Sequence, residues 1–348
     1  MHHLITISQK DKWMWYVKNS AEYDFYHTWY YHSLDQTGDP FLFIYEESDN
    51  YIAFPLLNRK IEDSEFSDLT SVYGYTGPIS NLKFEELNDE FMENFKRTFL
   101  SFLKSRENVS VFSRLHPLFH QNFLMEKFGG VYQNGKTVNI DLTIPIESQR
   151  LKYRRTTYDA IKRSWRQGLT AKETREPEDI QIFKDIYIEN MKRVGAKDYY
   201  LFTDTYFHDM VNAEEFDCRV LLVYHKDQAI CGSMVTFTGT IIEGHLMATR
   251  TEYLAESPSK FLVDEISKLG RKHGMQHYHL GGGFGYKEDT LFNWKLGFSD
   301  LMLNYSSWRY ITDEVRYNTL VQKSGVDEHT DVDFFPLYRY SQTLNSLK

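Results

Sequence analysis

The chain has 348 residues, among them 25 Tyr and 25 Phe, and a formal net charge of −9. This length and aromatic content allow a large buried core in one or two domains and exclude a disordered chain. The acidic balance excludes a global electrostatic grip on nucleic acid or an anionic membrane, and leaves room only for a local basic patch. No apolar run is long enough to span a bilayer and no signal-type segment opens the chain, so a cytoplasmic protein is expected. The two cysteines are Cys218 and Cys231. A hairpin turning at Lys226-Asp227 sets Cys231 opposite Leu222, so a disulfide is not expected and a reducing compartment fits.

In chain order, residues 8–37 read as helical and aromatic-rich, up to Pro40. A hairpin follows, residues 41–45 and 51–57, and then a Tyr-rich strand over 70–80 that ends in Gly77-Pro78. Phe84, Leu87, Phe91, Phe95, Phe99 and Phe102 step by three or four, the spacing of a long amphipathic helix. A strand at 109–112, the segment Ser113-Arg114-Leu115-His116-Pro117, a short helix and a strand at 131–142 complete the first half. The second half repeats the order: helices at 180–195 and 205–211, a hairpin at 219–224 and 229–238, a strand at 241–249, a helix at 258–273, a strand at 276–280, a glycine loop, a short helix at 291–296 and a strand at 300–310. The repeat predicts two copies of one α/β unit, residues 1–147 and 176–348, joined by a basic segment at 148–175.

That segment carries nine basic and two acidic residues between Ser148 and Arg175. Leu151, Tyr158, Ile161 and Trp165 form an apolar face at helical spacing, edged by Arg155, Lys162 and Arg166. A solvated linker helix and a phosphate-binding edge are both compatible with the pattern; the stripe's place beside the apolar face favours the edge. Glu256-Ser257-Pro258-Ser259-Lys260 opens the helix at 258–273. Ser257 can cap and Pro258 suits a first turn, whereas Lys260 opposes the helix dipole and suits a bound anion.

The stretch His279–Phe298 reads HLGGGFGYKEDTLFNWKLGF. Gly281, Gly282 and Gly283, with Gly285, call for positive φ or close approach of another molecule to the backbone. Leu291, Phe292, Lys295 and Phe298 then continue at helical spacing.

LGGG at 280–283, Asp289, Leu291-Phe292 and Trp294-Lys295 with Phe298 resemble the LGGG…D-x-L-F-x-F-K-x-x-F signature of Fem-type proteins. These are tandem-GNAT transferases that include the peptidyl transferases of peptidoglycan bridge synthesis and the wider BioF2-like acetyltransferase group. SVYGYTGPIS at 71–80, FSRLHP at 112–117, YRRTTYDAIKRSWRQG at 153–168 and SPSKFL at 257–262 resemble further segments of that group. The resemblance implies an α/β fold with mixed sheets, two tandem GNAT-like domains, and N-acyl or aminoacyl transfer to an amine. Its lysine falls on Lys295, as an oxyanion partner. Its phosphate-facing basic positions fall near Lys162 and Arg163. Trp294 stands where the family usually has Phe. The usual GNAT pyrophosphate loop, Q/R-x-x-G-x-G/A, is replaced by SPSKFL.

Acyl transfer to an amine requires alignment, removal of a proton and stabilisation of an oxyanion. Lys295, or the N–H groups of Gly282 and Gly283, can serve the oxyanion. Asp289 can orient the amine or take its proton, and His245 and His116 are further candidate bases. Tyr73, Tyr75, Arg114 and His116, with Trp294, are the candidate acceptor-side residues; Ser257, Ser259, Lys260 and Gly281–Gly283 are the candidate donor-side ones. No metal pattern appears, because His277-x-His279 lacks a third ligand. The expected donor is an acyl-CoA such as acetyl-CoA or an aminoacyl-tRNA, the net charge disfavouring tRNA. The expected acceptor is a small or nucleotide-linked precursor. A degenerate module that only binds a ligand or partner is the second class.

Overall fold

The computed structural model describes residues 1–196, 201–203, 205–326 and 332–340. Its elements run β1 (His2–Thr6), α1 (Lys10–Lys18), α2 (Trp29–Ser33), β2 (Asp39–Glu47), β3 (Asn50–Lys60), β4 (Ser67–Thr70), β5 (Ile79–Ser80), α3 (Asp89–Ser105), β6 (Asn108–Arg114), α4 (Gln121–Met125), β7 (Val131–Asp141), α5 (Ile146–Leu151) and α6 (Arg155–Arg166). They continue with β8 (Thr170–Thr174), α7 (Pro177–Arg193), α8 (Tyr206–Val211), β9 (Asp217–His225), β10 (Gln228–Thr238), β11 (Ile241–Thr249), α9 (Pro258–Lys272), β12 (His277–Gly281), α10 (Thr290–Lys295), β13 (Met302–Ile311) and α11 (Glu314–Lys323).

Two compact units result. Unit 1 comprises Met1–Asn134 with Asn304–Lys348, and unit 2 comprises Gly135–Leu303. Both are mixed α/β and share one order: hairpin, strand, long helix, parallel strand, short helix. In unit 1 the strands run β1-β2-β3-β4-β6-β13, with β4 and β6 parallel. In unit 2 they run β8-β9-β10-β11-β12-β7, with β11 and β12 parallel. Each parallel strand is closed by an antiparallel strand from the other half of the chain: β6 by β13 and β12 by β7. This exchange is why the compact units differ from a simple division at 147 and 176, and it places the basic segment inside unit 2.

The long helix of each unit is fixed by its apolar stripe. Phe95 and Phe99 of α3 meet Phe43, Phe54 and Trp308 in an aromatic core. Leu262, Ile266 and Leu269 of α9 cover Ile242 and Tyr278. Fully burying each such side chain contributes roughly 1.5–3 kcal/mol, before any loss of conformational entropy.

Several local expectations change. Residues 8–37 do not form one helix: Ser20 to Asp24 interrupts it, and Asp24 and Thr28 each cap a fresh turn. Within 70–80 only Ile79–Ser80 and the end of β4 are strand, because Gly74 (φ 111°) and Gly77 (φ 68°) turn the chain through the left-handed region. A bulge in β10 between Ala229 and Cys231 shifts the register, so Cys231 lies opposite Val223 and not Leu222; both cysteines are free and buried. Residues 148–175 hold α5, α6 and β8, and Leu151 is 88% exposed, off the apolar face to which its spacing assigns it.

Candidate functional site

In unit 2 the parallel ladder between β11 and β12 is only three rungs long, ending at Glu243 opposite His279. Beyond it, β11 continues to Thr249 beside β10, with a bulge at Gly244-His245 against β10. Such bulges re-aim side chains, and here the two parallel strands part where β12 enters the glycine loop.

Two of those glycines have left-handed φ, Gly281 at 73° and Gly285 at 59°. Gly283 is needed for a different reason: a Cβ there would lie 2.1 Å from the Lys287 carbonyl and 2.3 Å from Asp289 Oδ1. The close approach is therefore the chain's own loop. Asp289 holds that loop. One carboxylate oxygen accepts the Phe292 N–H (2.8 Å), capping α10, and the other accepts the Phe284 N–H (3.0 Å). These bonds hold its carboxyl below the usual range and make it a weaker base than an ordinary carboxylate. The geometry accounts for Asp289 as a cap and loop clamp. Phe292 and Phe298 anchor α10 in the core; Leu291 is 45% exposed and anchors nothing.

Lys295, in the last turn of α10, turns back over the loop and donates to the Gly282 carbonyl at 2.5 Å. It is not a solvated lysine. Burial lowers its ammonium to about 8, against the opposing pull of Glu243 and then Asp289. Trp294 beside it is half-buried, edge-on to Phe298 (5.0 Å), and packs into the core. His245 bonds the Tyr206 hydroxyl at 2.6 Å, and burial lowers it to about 4, far from the poise of a base at neutral pH.

The basic segment is mostly engaged by the protein's own groups, several of them far along the chain. Arg150 grips Asp264 through two bonds (3.1 and 2.6 Å), Lys152 meets Asp300, Arg154 donates to the Asn293 carbonyl, Lys172 meets Asp179 and Arg175 meets Asp217. Asp159 takes Lys162 at 2.8 Å and lies 3.7 Å from Arg155, and Arg166 bonds the Lys162 carbonyl. The predicted stripe is thus tied to the protein. Arg163 is the exception: among the described residues it makes no ion pair or side-chain hydrogen bond. Instead it faces Lys260. Lys260 is likewise without a carboxylate, and its ammonium is lowered first by burial and then by Arg163.

Lys260 lies in the first turn of α9. Ser257 is in the left-handed region (φ 54°) and its side chain makes no cap bond, contrary to its capping signature. Pro258 brings no N–H, and the Lys260 N–H bonds the Ser257 carbonyl (3.1 Å). The terminus therefore offers the helix dipole, the Ser259 N–H and two side-by-side cations.

Unit 1 holds a cavity of about 380 Å³ lined by His116, Phe119, His120, Phe123, Glu85 and Glu126 together with small polar groups, and by no Lys or Arg. His116 accepts the Leu118 N–H at Nδ1, so Nε2 carries the proton that it donates to Asp24 (3.2 Å), and its ring stacks on Phe119 at 3.9 Å. Of the acceptor-side candidates only His116 lines this cavity. Tyr75 is buried edge-on among Tyr26, His116 and Tyr305, and Arg114 lies over Tyr73 at 5.9 Å and Phe112 at 5.1 Å.

Reasoning from sequence misses Glu243, which is 3% exposed and bonds His279 (2.7 Å). An acid inside the otherwise apolar run Ile241-Ile242 is the one signal that marks it.

Residues 152–292 match the family model of the acetyltransferase (GNAT) domain. No curated protein matches the chain by sequence. Among solved structures, FemX shares the fold with a TM-score of 0.70 at 13% identity, covering 92% of this chain and 99% of that one. L-PGS from Bacillus licheniformis follows at 0.60 and 14%, covering 87% and 92%. The C-terminal domain of a putative lysylphosphatidylglycerol synthetase from Agrobacterium fabrum follows at 0.57 and 13%, covering 92% and 95%.

Proposed function

We propose that this chain, with a GNAT-type domain in unit 2 and the fold shared by FemX and L-PGS, is an N-acyltransferase whose donor site lies in unit 2. The carrying observation is the Arg163–Lys260 pair: two cations near the α9 N-terminus that repel one another, neither paired with a carboxylate among the described residues. Like charges so placed lower one another's charge unless an anion joins them, and a pyrophosphate fits that need. An acyl-CoA is the donor this favours; the net charge of −9 disfavours tRNA.

In the reaction the acceptor nitrogen attacks the thioester carbonyl, a C–N bond forms, the C–S bond breaks, and the amine's proton leaves as the thiol is restored. Lys295 in its ammonium form would stabilise the oxyanion beside the Gly282 turn. A cation is needed there, so turnover should fall as pH rises through about 8. The unit 1 cavity, aromatic and carrying two glutamates but no lysine or arginine, suits a cationic amine better than a phosphate. The acceptor class is an amine of a sugar-nucleotide, amino-sugar or peptide cell-envelope precursor, the class that the sequence resemblance to Fem-type proteins suggests. Mass-shift screening of such amines against acetyl-CoA, longer acyl-CoAs and charged tRNA tests the reading. Acylated product with a CoA donor supports it, and product with charged tRNA alone overturns the donor assignment.

A further inference from the structure

The glycine loop holds a lysine whose charge is costly, and a buried carboxylate lies at the end of the strand ladder that leads into that loop. We propose that Glu243 is the counter-charge of Lys295: a positioning residue, held by His279, that keeps the ammonium charged beside the Gly282 carbonyl. Its catalytic consequence rests on the acyltransferase reading; its electrostatic content does not.

The geometry follows from the ladder. Glu243 and His279 form the last rung between β11 and β12. Their side chains meet there, Oε1 to Nδ1 at 2.7 Å, with Glu243 3% exposed and His279 fully buried. Three residues on, Gly282 presents the carbonyl that receives Lys295 at 2.5 Å. His279 with its proton on Nδ1 donates to Glu243 and favours the ionised carboxylate. Two acids face the lysine, Glu243 from β11 and Asp289 from the start of α10, and His279 on β12 acts through Glu243. Asp289 has both oxygens engaged by backbone N–H groups and has the weaker effect of the two. Burial opposes both, and the balance leaves the lysine titrating at about 8. Without Glu243 the same burial would leave the amine about half neutral at pH 7, so that fewer molecules could meet an oxyanion with a cation.

The test needs no substrate. Lys295 in the full chain is labelled with trace acetic anhydride across pH 6–10 and its reactivity read by peptide mass spectrometry. Glu243→Gln should move the labelling midpoint down by about one pH unit, so that Lys295 is roughly fivefold more reactive at pH 7. Asp289→Asn should move it less. An unchanged midpoint in Glu243→Gln overturns the proposal. If Glu243→Gln does not fold, the wild-type chain carrying carboxyl-13C glutamate provides a second readout. The Glu243 carboxyl signal should inflect at the Lys295 midpoint, and a flat signal there overturns the proposal equally. Failure of either readout leaves the acyltransferase reading intact. Failure to find acyl transfer leaves the charge pair intact.

Discussion

The long helices α3 and α9 occupy the same place in the order of their units, and their N-termini are built in opposite ways. In unit 1 the side chain of Asn88 accepts the Phe91 N–H at 2.7 Å, and Asp89 and Glu90 fill the first turn. That terminus is satisfied and negatively charged, which repels an anion. In unit 2 the residue before α9 makes no side-chain cap and Lys260 stands in the first turn beside Arg163. The parallel strands differ too. Past β4 the chain stays bonded to β6, through Ser71 N–H to Phe112 (3.0 Å) and Thr76 N–H to Arg114 (3.0 Å). Past Glu243, β11 parts from β12. One scaffold thus appears twice, closed in one copy and open in the other. The open copy is where the cations and Lys295 collect.

Lys295→Met should show the largest effect. It keeps the buried stem and removes the charge, and turnover should fall about 100-fold or more. Thermal stability should change little, because a lysine lowered to about 8 is a charge that the fold already disfavours. A parallel loss of folded protein would make Lys295 structural. Lys260→Ala and Arg163→Ala should each raise the donor KM about tenfold with kcat nearly kept, since a charge-assisted contact is typically worth about 1.5–3 kcal/mol. The matching acidic-to-neutral changes in unit 1, Asp89→Asn and Glu90→Gln, should leave the donor KM alone; a lowered KM would break the contrast between the copies. Glu126→Gln, in the unit 1 cavity, should weaken an amine acceptor by a few-fold and leave the donor untouched.

Acid should act locally, at the elements that hold buried histidines. His27 and His32, fully buried in unit 1, are lowered to about 4, chiefly by burial. Their neutral form is the folded one, so their stabilisation is complete above the unfolded value near 6.5 and is lost as pH falls toward 4. Between pH 7 and 5 the His32 contribution alone weakens by roughly 2 kcal/mol. Hydrogen exchange should therefore quicken in α1 and α2 more than in α9, and equal acceleration would contradict this.

Much of this frame is legible in the sequence. The Phe stripe of α3, the hairpins and the repeated order follow from periodicity alone, because apolar spacing is what selects a buried face. The candidate site is legible only in part. Lys260 stands out as a charge that opposes the helix dipole, and Lys295 stands out through the Fem-type resemblance. Asp289 reads as a possible base, yet its chemistry is spent on two backbone N–H groups, a choice that only the folded loop reveals. The basic segment reads as a phosphate edge, whereas distant acids such as Asp264, Asp300 and Asp217 neutralise it. Partners that far along the chain leave no local spacing to read. Glu243 is hidden for the same reason: its meaning comes from a rung shared with His279, 36 residues away.

Calorimetric titration of the full chain with acetyl-CoA tests the asymmetry of the two copies most directly. A single binding event per chain, weakened about tenfold by Lys260→Ala and again by Arg163→Ala, is the predicted result. Two equivalent events, or one event indifferent to both substitutions, would contradict it.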